Sequence, residues 1–106
     1  MPKYLLEVNY SSEGIKGVLD QGGSARLKAA NDVAESAGGK IDSFYFAFGG
    51  TDAYVVCDFP DNTSAAALAM TLSASGRVSV RTIVLLTAAE VDAASKAKVS
   101  YRPPGS

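Results

Sequence analysis

Apolar and polar positions alternate from Lys3 to Tyr10: Tyr4, Leu6, Val8 and Tyr10 share one face, and Leu5, Glu7 and Asn9 the other. A period of two predicts a β-strand. Ser11-Ser12-Glu13 offers a hydroxyl N-cap and an acid in a first helical turn, and Ile15, Val18 and Leu19 supply a short apolar stripe. Gly22-Gly23 interrupts that helix, and Ser24 is placed to cap a second one over 25–37, where Leu27, Ala30, Val33, Ala34 and Ala37 recur at helical spacing. Gly38-Gly39 closes it.

The stretch 41–59 organises the chain. It predicts two strands joined by a tight Gly49-Gly50-Thr51-Asp52 turn, with positive φ at Gly50 and the Asp52 carboxylate on turn amides. Simple alternation sends Asp42, Phe44, Phe46 and Phe48 one way and Ile41, Ser43, Tyr45 and Ala47 the other. In the second strand Tyr54 and Val56 share a face with Asp52 and Asp58, opposite Ala53, Val55, Cys57 and Phe59. Pro60 breaks this strand, and Asn62 or Thr63 caps an alanine-rich helix over 64–75 whose packing face is Ala65, Leu68, Ala69 and Leu72. A last strand over 77–86 carries Val78, Val80, Thr82, Val84 and Leu86 on one side and Arg77, Ser79, Arg81, Ile83 and Leu85 on the other. Thr87-Ala88-Ala89-Glu90 is a capping box that opens a short helix over 88–98.

Strand, helix, strand, strand, helix, strand is the βαββαβ order of an α+β, ferredoxin-like fold with a four-stranded antiparallel sheet. A single domain is expected over 1–98, with a flexible tail over 99–106. Both helices cover one face of such a sheet. The other face keeps either Phe44, Phe46 and Phe48, or Tyr45, Val55, Ile83 and Leu85, which is too apolar for a lone monomer. Two sheets packed face to face would hide it, so a homodimer or higher oligomer is expected, shaped as a dimeric α/β barrel. With the first and last strands taken as the sheet edges, Glu7 and Arg81 are not neighbours and could meet only across that dimer.

Composition mainly excludes. Ten basic and eleven acidic side chains leave a net charge of −1 over 106 residues, with the arginines scattered, so nucleic acid is not an expected partner. No histidine is present, which removes histidine general bases, His-ligated haem and most zinc and non-haem iron sites; neither a metal nor a cofactor is expected. Cys57 is the single cysteine and reads as a small buried hydrophobe. Apolar runs are too short to cross a bilayer, and the start Met-Pro-Lys-Tyr lacks a leader pattern, so no membrane is expected and a cytoplasmic location is the default.

Three groups carry candidate chemistry. Gly22-Gly23-Ser24-x-Arg26 offers amides, a hydroxyl and a guanidinium to an anion such as a phosphate or carboxylate. Tyr45 could line a ligand cavity, and Asp52 could act as a general base at the hairpin tip or simply cap a turn.

The runs Gly22-Gly23-Ser24-Ala25-Arg26, Ala37-Gly38-Gly39-Lys40-Ile41, Phe44-Tyr45-Phe46-Ala47-Phe48-Gly49, Ser73-Ala74-Ser75-Gly76 and Leu85-Leu86-Thr87-Ala88-Ala89-Glu90-Val91-Asp92 resemble, in order, those of GYD domain proteins over residues 3 to 95. The family's Gly-x-Tyr-Asp turn is matched by Asp52 but not by a tyrosine, since Thr51 stands before it. The resemblance implies the dimeric α/β-barrel fold and no particular reaction. It leaves a homo-oligomeric accessory or binding domain for a small anionic or aromatic ligand as the leading expectation. The alternatives are a cofactor-free isomerase or monooxygenase acting on an aromatic substrate with Asp52, Tyr45 and Arg26, and a nucleotide-sensing regulator.

Overall fold

A computed structural model describes residues 1–105; Ser106, the end of the expected tail, lies outside the described residues. The elements are β1 (Lys3–Tyr10), α1 (Ser12–Gln21), α2 (Gly23–Ser36), β2 (Lys40–Phe46), β3 (Ala53–Asp58), α3 (Asn62–Ala74), β4 (Val78–Leu85) and α4 (Ala88–Lys96). The antiparallel four-stranded sheet has the order β2-β3-β1-β4, the ferredoxin-like arrangement. Among the described residues no helix is long and apolar enough to cross a membrane.

This order corrects the placement of β1, which lies between β3 and β4; the edges are β2 and β4. Glu7 therefore stands directly opposite Arg81 within one chain, with Arg81 Nε 3.8 Å from Glu7 Oε2.

The core fills the helix side of the sheet. Tyr4, Leu6 and Val8 of β1 and Ala53, Val55 and Cys57 of β3 pack with Phe59 and with Ala65 and Leu68 of α3. Burying a large apolar side chain of this kind contributes about 1.5–3 kcal/mol. Tyr4 is buried without an unpaired hydroxyl, because that O–H donates to Asn62 Oδ1 at 2.6 Å, and its ring meets Phe59 edge-on. The α3 N-cap is consequently neither Asn62 nor Thr63. Asp61 takes the role, accepting from the Ser64 amide at 2.8 Å.

A β-bulge in β2 overturns the simple alternation. Ile41 faces Cys57, but Ser43 rather than Asp42 faces Val56, so Asp42 is the extra residue. The slip brings Ile41, Phe44 and Phe46 to the helix side, while Asp42 joins Lys3, which also reaches Asp58 at 3.0 Å. Val55, paired with Phe44, belongs to the core; Tyr45 pairs instead with Tyr54 on the open face.

Two turn assignments change as well. The hairpin connection spans 47–52, closed by the Ala47 amide on Asp52 O at 2.8 Å, and Gly50 does not have positive φ. Ser24 does not cap α2. Gly22 holds that position at φ 85° with no side-chain cap, a conformation open to glycine at little cost.

Candidate functional site

An apolar cavity of about 250 Å³ lies between the sheet and helices α2 and α3. Leu6 and Val8 form its floor with Val55 and Cys57, Ile41 and Phe44 close one side, and Leu68 and Leu72 the other. Three features of the chain leave this space. Alanines at 29, 30 and 34 present short side chains on the lining face of α2. The bulge turns Ile41 and Phe44 inward. Gly23 lets α2 begin hard against β2: a Cβ there would lie 3.2 Å from the Phe46 ring.

Arg26, the fourth residue of α2, is the one charged side chain among the described lining residues, and Tyr10 adds a phenol. Cys57 contributes a neutral thiol. Burial is the first cause of its pKa rising to about 11, and its S–H points to the Tyr4 carbonyl at 3.8 Å. An apolar chamber with one guanidinium suits a compact amphipathic acid, whose carboxylate meets the Arg26 fork while the hydrocarbon part fills the chamber.

The residues singled out in the sequence fall in different places. Arg26 lines the cavity. Gly22 and Gly23 set the α1–α2 turn, and the Gly22 amide is already engaged by Val18 O at 2.8 Å. Ser24 is in the first turn of α2, outside the lining. Tyr45 is 70% exposed on the open face, across the sheet from the cavity. Asp52 closes the β2–β3 loop onto β1, its Oδ2 accepting the Tyr10 amide at 2.9 Å. Arg26 and Tyr45 thus stand on opposite faces of the sheet, and Asp52, Tyr45 and Arg26 do not form one constellation.

The lining residues Ile41 and Phe44 escaped the alternation because a bulge leaves no mark in a two-residue period. Alanines 29 and 30, close to Arg26 on α2, were the legible signal of spare volume.

The open face carries a second arrangement. Tyr45, Tyr54, Glu7 and Arg81 stand in register as one row, with one residue from each strand.

The model of the GYD domain family matches residues 4–95, nearly the whole folded chain. The chain belongs to the GYD domain family. No curated protein and no solved structure matches it. Membership assigns no reaction, so the Arg26 cavity and the open sheet face carry the functional argument for this GYD domain.

Proposed function

We propose that this GYD domain is a small-molecule binding protein that takes a compact aromatic or aliphatic monocarboxylate into the cavity between the sheet and α2/α3. The observation that supports it is the pairing of an almost wholly apolar chamber with the single guanidinium of Arg26. A preformed apolar site with few polar groups is the common form of a small-ligand pocket, and its volume here lies below the usual range of about 300–1,000 Å³, which limits the ligand to a small one. The free thiol of Cys57 accords with a reducing, cytoplasmic setting.

The binding form in this reading is a homodimer with open sheet faces together. Leu5, Tyr54, Val56, Ile83 and Leu85 supply apolar area there, and the Tyr45–Tyr54–Glu7–Arg81 row gives the contact polar groups that can pair with their two-fold copies.

Calorimetry with phenylacetate and its uncharged methyl ester tests the ligand class. The expected result is measurable binding of the acid, weakened about tenfold or more by Arg26→Gln, in the range of a lost charge-assisted hydrogen bond, with the ester indifferent to the substitution. Equal behaviour of acid and ester, or no binding of either, would overturn the assignment. Native mass spectrometry of freshly purified protein reports the dimer mass and any retained acid in one spectrum.

A further inference from the structure

Helix α4 has no place in the body of its own chain. Its capping box is complete: the Thr87 hydroxyl accepts from the Glu90 amide at 3.1 Å, and the Glu90 carboxylate accepts from the Thr87 amide at 3.0 Å. Yet all nine of its residues are exposed, and none joins the core. Isolated helices shorter than about 12–15 residues are marginal in water, and short helices in proteins persist through packing. Thr87, the N-cap, has the extended φ −75° and ψ 163° usual for that position and, with Leu86, links β4 to α4. The molecule measures 57 × 32 × 23 Å, and its radius of gyration of 16.9 Å exceeds the roughly 13 Å of a compact chain of this length. A capped, projecting helix with Val91 51% exposed calls for a surface to lie against.

The chain offers such a surface. Beside the root of this arm, α3 and the free edge strand β4 enclose an apolar groove with Ala65, Ala66 and Ala69 on one wall, Thr82 and Val84 on the other, and Met70 at the rim, 71% exposed. The alanines permit a helix to approach closely, and Met70 can adapt to what it meets. On α4, Ala88, Val91, Ala94 and Ser95 lie on one side at helical spacing, small residues around one valine, with Glu90 and Lys96 off that side. The side formed by Ala88, Val91 and Ala94 is apolar and built of small side chains, and the groove wall opposite is apolar as well.

We propose that α4 of one copy docks in the α3–β4 groove of a second copy, and that the two arms are exchanged about a two-fold axis. Exchange is favoured over folding back because α4 stands clear of its own α3–β4 groove: all nine of its residues are exposed and none of them lines that groove. The groove opens on the helix side of the sheet, so its occupation does not compete with contacts on the open face. Two reciprocal arms double the docked area, and the second docks at an effective concentration on the order of millimolar.

Engineered cysteines in the full chain test the exchange, since native Cys57 is buried and does not interfere. Val91→Cys protein is mixed with Thr82→Cys protein and oxidised mildly, alongside a mixture of Val91→Cys with Leu19→Cys, whose residue on α1 is 80% exposed and far from the groove in sequence. The expected result is disulfide heterodimer in the first mixture at least about tenfold faster than in the second, as docking raises the local thiol concentration from micromolar toward millimolar. Equal rates in the two mixtures would overturn the proposal. So would a Val91→Cys/Thr82→Cys double variant that closes only within one chain, which would assign the groove to the chain's own α4.

Discussion

Asp52 Oδ2 accepts the Tyr10 amide at 2.9 Å while the Asp52 amide donates to Val8 O at 3.0 Å. One residue thus binds the β2–β3 loop to the end of β1 by both its side chain and its backbone. This aspartate holds a neighbouring strand, where the sequence pattern pointed to a residue serving its own turn. Asp52→Ala would leave the part-buried Tyr10 amide without its partner and should lower stability by about 1–2 kcal/mol, with Asp52→Asn recovering most of the loss through its remaining carbonyl oxygen. Urea denaturation followed by circular dichroism measures both; an alanine variant as stable as the parent would contradict this role.

Two glycines of α1 make a paired test of packing. A methyl group added at Gly14 would run into the Arg77 carbonyl, the same oxygen that accepts the Ser11 amide at 2.9 Å, whereas none of the described residues comes within 4 Å of one added at Gly17. Gly14→Ala should destabilise by about 1–3 kcal/mol through overpacking. Gly17→Ala should stabilise by about 0.5–1 kcal/mol, because alanine loses less freedom in a helix. Thermal melts of the two variants should therefore move in opposite directions.

Much of the fold was legible because its signals are local. The alternation of Tyr4, Leu6 and Val8, the alanine-rich stripe of α3 and the Thr87–Glu90 capping box each depend on residues a few positions apart. What escaped depends on pairing between distant segments. The bulge at Asp42 answers to how β2 meets β3, and the central place of β1 follows from Glu7 meeting Arg81 and Tyr54 at once. Arg26 was legible as an anion group from its neighbours, but the cavity beside it required Ile41 and Phe44 to turn inward, which no strict alternation permits.

Cys57 should respond only to strong base or to unfolding. Its thiol is held neutral by burial, with the pKa raised from 9.0 to about 11. For an acid whose folded pKa is raised, the folded state is favoured fully below the unfolded value and loses that advantage as pH climbs through the folded one. The urea midpoint of the parent should therefore fall more steeply than that of Cys57→Ala between about pH 9 and pH 11. At neutral pH a thiol reagent should label the parent only when urea is added; prompt labelling of the folded protein would show that the thiol is not enclosed as described.

The acid limb of stability should belong in part to Asp61 and Asp42. The Ser64 amide at the α3 N-cap holds the Asp61 carboxyl below its ordinary 3.8, and hydrogen bonding from Lys3 holds Asp42 below the same value. With folded pKa values depressed, both contributions are present above the ordinary carboxylate pKa and disappear as pH falls below it through the folded value. Asp61→Asn separates capping from charge, since the amide oxygen can still accept from Ser64 but does not titrate in this range. The variant should keep α3 capped at neutral pH yet lose less of its urea midpoint than the parent on going from about pH 6 to about pH 3. If parent and Asp61→Asn lost stability in parallel over that interval, the proton would be taken up elsewhere, and the cap would act through geometry alone.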